Sequence, residues 1–173
     1  MKQQLTAALQ RIAQGDVASV KTEAEAIKQL PRTAEGLFDM ETVDADPYQA
    51  ARWVYPVYAA YETECNKKEG YPDLLAQMRT LNKNRRENDT LENTAAFLDA
   101  LICTIDNVSP QLYEYYRELV DLFKENVNHA IKTYFNNGSF GPAGAAADTL
   151  IRKAIAHAGE TYVLLAEKYE VYC

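Results

Sequence analysis

The sequence predicts an all-α fold, built as antiparallel helical hairpins within a single domain over residues 1–173. Three observations lead there. Apolar residues recur at steps of three and four in one segment after another, the spacing that puts them on one helical face. The segments are bounded by proline, glycine or side chains that cap helices. No stretch reads as a strand, so no sheet is expected.

The elements follow in order. Leu5, Ala8, Leu9 and Ile12 form a first stripe, and Val17, Val20, Ala24 and Ile27 form a second after Gly15-Asp16. Gly15 separates the two, and Pro31 ends the second, because the residue before a proline is pushed out of the helical region. Asp46 is a good N-cap, Pro47 suits the first helical position, and Gln49 completes a capping-box arrangement. That helix is expected to run to about Asn66 with Pro56 inside it, where the missing N–H predicts a kink. Gly70 closes the next turn, and Pro72-Asp73 opens a helix bearing Leu74, Leu75, Met78 and Leu81.

Asp89-Thr90-Leu91-Glu92 restarts the chain with another cap, followed by Leu91, Ala95, Leu98, Ile102 and Ile105. Phe97 and Leu101 widen this stripe, so the helix is expected to be buried on more than one side. Ser109-Pro110 caps the longest helix, with Leu112, Tyr116, Leu119, Phe123, Val127, Ala130 and Tyr134 on one face. Asn136-Asn137-Gly138 is its stop signal. Two more helices are expected, from Ala143 to about Ala158 and from Thr161 to about Tyr169, giving roughly seven or eight in all.

Composition narrows the function. The net charge is −7, from 25 acids against 18 bases, which argues against nucleic acid and against an anionic membrane surface. No run approaches the ~20 apolar residues that span a bilayer. The start, Met1-Lys2-Gln3-Gln4-Leu5, lacks the apolar core of a secretory signal, and the odd count of three cysteines suits reduced thiols; both predict a cytoplasmic protein. The local basic cluster of Lys83, Arg85 and Arg86 falls at a helix end, where the macrodipole favours cations without any ligand.

His129 and His157 have no second His or Cys one turn away, so no metal site is expected, and no cofactor. Asp99 and Asp106 are seven apart on one face, a weak candidate for paired acid–base work. The Gly-rich loop from Gly138 to Gly144 precedes a helix but follows no strand and lacks the P-loop lysine.

One resemblance adds to this reading. Pro31-Arg32-Thr33-Ala34-Glu35-Gly36-Leu37-Phe38 and Tyr55-Pro56-Val57-Tyr58-Ala59-Ala60-Tyr61-Glu62 resemble two motifs of the unsaturated uronyl hydrolases, glycoside hydrolase families 88 and 105. Glu62 to Asp73, Phe97 to Ile105 and Ala166-Glu167-Lys168-Tyr169 look like three further pieces in the same order. The resemblance covers the chain from about Leu30 onward. It implies a partial (α/α)6 toroid, the C-terminal half of a six-hairpin barrel, with roughly three to four hairpins present. An open half-toroid would expose an apolar face, and that implies a homo-oligomer, a complementary half-barrel chain, or a repacked and smaller bundle.

The family hydrates the double bond of an unsaturated uronic acid through a general-acid Asp, a role that accelerates such reactions by roughly 10²–10⁴. Here no carboxylate lies between Pro47 and Tyr61, and the family's "W-x-R-G-x-GW" run has become Asn88 to Ala96. The expectation is therefore a non-catalytic binding or assembly module linked to uronide metabolism. The alternative is a hydrolase that has moved its acid, with Asp46 the first candidate and Asp44 or Glu62 behind it. A third is a purely structural helical protein that self-associates. A retained saccharide site would draw on Arg32, Glu35, Gln49, Trp53 and Tyr58. The competing reading makes Arg32 and Glu35 structural and the Tyr48–Tyr61 aromatics core, with hydroxyls at its rim.

Overall fold

A computed structural model describes residues 1–64, 69–109 and 111–134. Six α-helices and one 3₁₀ turn make up this part: α1 (Lys2–Ala13), the turn Ala18–Val20, α2 (Lys21–Lys28), α3 (Pro47–Glu64), α4 (Gly70–Glu87), α5 (Leu91–Ile105) and α6 (Tyr113–Tyr134). Among the described residues there is no strand, only an isolated antiparallel bridge between Arg32 and Phe38. None of the described helices is long and apolar enough to cross a membrane. The two helices expected after Pro142, the Gly-rich loop, His157, Cys65 and Cys173 lie outside the described residues.

Helix boundaries follow the local chemistry. Gly15 takes φ of +86°, a left-handed conformation open to glycine, and breaks the first helical stretch where expected. The Asp46 carboxylate accepts the backbone N–H groups of Tyr48 at 2.9 Å and Gln49 at 3.4 Å, so it caps α3. Thr90 caps α5 by accepting the Asn93 N–H at 3.0 Å. Two boundaries differ from expectation. Gly70 begins α4 rather than closing a turn before it, and α6 begins at Tyr113, because Leu112 is still in a turn bonded to Ser109.

Helix α3 is the centre of the packing, in contact with α1, α2, α4 and α5, while α6 covers α4 and α5. The largest interface joins α3 and α5, which are not neighbours in sequence. Helix α5 is buried nearly all round, with Phe97, Leu98, Ala100 and Leu101 fully enclosed. That matches its double stripe. The aromatics of α3 are core as well: Tyr48, Tyr55, Tyr58 and Tyr61 are all buried. At the α3–α4 crossing a Cβ on Gly70 would come within 2.7 Å of the Tyr58 hydroxyl and 2.8 Å of the Glu62 carboxyl carbon. Only a residue without a side chain lets these helices approach so closely.

The basic cluster is more than a dipole effect. Arg86 pairs with Glu125 at 3.3 Å, and Arg85 is buried, with its guanidinium 3.4 Å from Asp89. A buried arginine is costly unless it is paired. Its position one turn after Leu81, on the inward face of α4, carries it inside.

Candidate functional site

The turn that carries the resemblance is tied down to α4. Arg32 grips Asp73 with both terminal nitrogens, at 2.9 and 2.8 Å, and donates to the Gly36 carbonyl at 2.9 Å. Its guanidinium also lies 4.2 Å over the Phe38 ring. Gly36, at φ +86°, reverses the chain so that this can happen. Beneath it, Gln77 accepts the Phe38 N–H at 3.0 Å and the buried Tyr55 hydroxyl at 2.8 Å, and donates to Asp73 at 3.3 Å. Arg32 is thus paired within the turn's own scaffold.

The Arg32 hydrogen bonds hold the Asp73 carboxyl below the usual carboxylate range, against partial burial, with Gln77 adding to the effect. A depressed pKa contributes stability above the unfolded value, near 3.9, and that contribution is lost as pH falls through the folded one. Asp73→Asn is therefore expected to lower the melting temperature at neutral pH, with the gap from wild type closing below about pH 4. Thermal unfolding at a series of pH values checks this. A gap that stays constant with pH would show that charge at Asp73 is not what matters.

Next to the turn a cleft of about 310 Å³ opens between residues 33–48 and α4. Its floor is apolar, with Phe38, Met40, Tyr48 and Leu81, and its rim carries Glu35, Asp39, Glu41 and Asp44. No lysine or arginine lines it. Asp44 accepts the Asp46 N–H at 3.0 Å and pairs with Lys2 at 3.2 Å, and together these lower its pKa. Burial raises the pKa of the Tyr48 hydroxyl, and the Asp46 charge adds to it.

The candidate residues do not form one site. Glu35 and Asp44 share the cleft rim. Trp53 is half-buried beyond it, with Lys2 4.3 Å over its ring and Arg52 5.6 Å away, so two cations occupy the surface a sugar would stack on. Gln49 is exposed on α3 and enters the cap only through its backbone. Tyr58 and Glu62 meet in the interior against Gly70. Burial, with the nearby Glu62 charge, pushes Tyr58 up to about 12, so its hydroxyl stays protonated. Glu62 is almost wholly enclosed and pairs with Lys28, whose ammonium sits 5.7 Å from both the Tyr58 and Tyr61 rings. Asp99 pairs with Arg52.

One cluster was not legible beforehand. Asp89 accepts from the Tyr134 hydroxyl at 2.7 Å and meets His129 at 2.9 Å as well as Arg85. Burial raises the Asp89 pKa, but Tyr134 and His129 outweigh it, and the net direction is down. The same burial and the Asp89 bond push Tyr134 up to about 12. This carboxylate joins the α4–α5 junction to the end of α6. The sequence shows Asp89 only as part of a cap, and its partners lie 40 and 45 positions away.

Among the described residues no group of three His, Cys, Asp or Glu side chains is arranged to hold a metal ion. Compared with family models, curated proteins and solved structures, the chain has no match in any of the three.

Proposed function

We propose that this chain is a non-catalytic helical module for binding or assembly, with the cleft beside α4 as its ligand site. One observation carries the reading: each of the three acids named as a replacement for the family's general acid is already engaged. Asp46 caps α3, Asp44 is bonded to Lys2 and to its own loop, and Glu62 is enclosed with Lys28. A general acid must reach the reacting atom. Glu62 is the least able to, since it lies inside the α2–α3 packing.

The link to uronide metabolism rests on the resemblance alone. The cleft's charge runs against it, because four rim carboxylates, of which Asp44 alone is paired, with Lys2, repel a uronate. The packing bears on assembly too. Among the described residues, Met1 and Ile131 are the exposed large hydrophobics, which favours a repacked bundle over an open half-toroid awaiting its other half.

The test is the ultraviolet absorbance of unsaturated uronyl disaccharides followed over time, with an authentic family enzyme beside it. A flat trace is expected. Asp46→Ala should cost about 1 kcal/mol of stability, as for a lost cap, with the trace unchanged. Decay that disappears in Asp46→Asn would instead establish a hydrolase with a relocated acid.

A further inference from the structure

We infer that His129 and Asp89 form a proton-operated latch, in which an imidazolium fastens the end of α6 to the α4–α5 junction more firmly in mild acid than at neutral pH. The device goes beyond the binding-module reading and does not depend on what the cleft beside α4 takes up. Geometry is its first support. His129 Nε2 faces both carboxylate oxygens of Asp89, at 2.9 and 3.0 Å, so in the neutral ring this nitrogen carries the proton and donates it. Nδ1 is then the acceptor, and the Thr133 hydroxyl stands 3.4 Å from it. A second proton goes to Nδ1 without any movement of the ring. The Thr133 hydroxyl turns to accept, and the bond from a neutral ring to Asp89 becomes an ion pair. The two side chains are 30 % and 32 % exposed, so water can deliver that proton.

The second support is how Asp89 shares its oxygens. Oδ1 accepts the Tyr134 hydroxyl at 2.7 Å and lies 3.4 Å from Arg85 Nη1, whereas Oδ2 is met, among the described residues, by His129 alone. Asp89 also stands just before Thr90, the N-cap of α5, where the helix dipole favours its negative charge. The surrounding charges are balanced. Arg85 and Arg86 come from α4 and Lys132 from α6; against them stand Asp89 at the junction, Glu92 in the first turn of α5 and Glu125 one turn before His129. Glu125 is paired with Arg86 at 3.3 Å, and Glu92 is near enough to act on the Tyr134 hydroxyl. Of these groups Asp89 is the one bonded to the ring, and it favours the imidazolium.

The added hold is present while the ring is charged and Asp89 is ionised. It is lost as pH rises through the interval in which histidines give up their proton, about pH 6–7. It is lost again in strong acid, as Asp89, held below the usual carboxylate range, takes a proton.

Hydrogen exchange of the intact chain tests this, read as protection of the amides of residues 131–134 after correction for the intrinsic rate at each pH. Protection at about pH 5.5 should be about two- to fivefold higher than at about pH 7.5, the range for a partly exposed ion pair. His129→Gln keeps a neutral donor near the Nε2 position and cannot take the proton, so the pH effect should vanish in it. Asp89→Asn should remove the effect too, at lower protection throughout, because Tyr134 and Arg85 lose the same carboxylate. Equal protection at the two pH values in the wild-type chain would overturn the proposal. So would a pH effect that survives in His129→Gln, since another group, His157 or a carboxylate, would then carry it. A change shared equally by the amides of residues 97–101 would mean that pH acts on the whole fold rather than on the end of α6, and would overturn it as well.

Discussion

Replacing Gln77 by Leu is expected to destabilise the protein by about 2–5 kcal/mol, read by urea denaturation. Gln77 is 2 % exposed, so water cannot take over its bonds. A leucine fills similar space and removes the acceptor for two buried donors, the Phe38 N–H and the Tyr55 hydroxyl. Each orphaned donor costs roughly 1–3 kcal/mol. The two can be separated. In the background of Gln77→Leu, Tyr55→Phe should cost less than it does in wild type, because the hydroxyl it deletes is already unpaired. Strict additivity of the two changes would show that the bond contributes nothing. The turn from Pro31 to Phe38 should loosen as well, leaving Arg32–Asp73 as its main tie to α4.

Phe97→Ala should cost about 3–5 kcal/mol, the range for emptying a large aromatic site in a closed core. Phe97 is fully buried on a helix enclosed on several sides, so the cavity has few ways to collapse. Out of a total of ~5–15 kcal/mol for a natural domain, that loss would leave little or nothing in reserve at 37 °C. A denaturation midpoint within about 0.2 M of wild type would mean that the packing around α5 is far looser than described. Phe97→Leu keeps much of the volume and should cost under half as much.

The fold was legible because its signals are local. Gly15, Asp46 and Thr90 act on backbone groups within three residues, and each marks a boundary that the structure places within a turn of expectation. The buried sides of α5 and α6 were also readable, since Leu98, Ile102, Leu119 and Phe123 repeat with the helical period. The polar contacts were another matter. Gln77 and Asp73 sit one turn apart on α4 and look like ordinary surface residues until the turn that meets them is placed. Arg85 reads as a cation at a helix end, and only the folded structure shows that it is enclosed.

The cleft is the clearest case of what sequence could not show. Glu35, Asp39, Glu41 and Asp44 are legible as an acidic stretch, but their shared rim comes from the path of the loop over Leu81. The resemblance offered Arg32 as a ligand residue, and nothing in the sequence signals the pairing with Asp73 that the structure shows. An arginine's partner is set by geometry, and a motif of eight residues carries none of the geometry of α4.

The clamp from Arg32 to Asp73 bridges 41 positions, and the bond from Phe38 to Gln77 bridges 39. A chain emerging from the ribosome presents the turn long before it presents either partner. Until α4 has been synthesised, the segment from Gln29 to Asp46 lacks both of these ties and has only its own short-range bonds and its contacts with α1 and α3, Lys2 with Asp44 and Phe38 with Tyr55 and Tyr58, to hold it. Helices α1, α2 and α3 can meet earlier through the apolar contacts they share. Order that builds during synthesis would therefore start from the N-terminal helices, and the acidic rim would be complete only when the fourth helix arrives to fasten it.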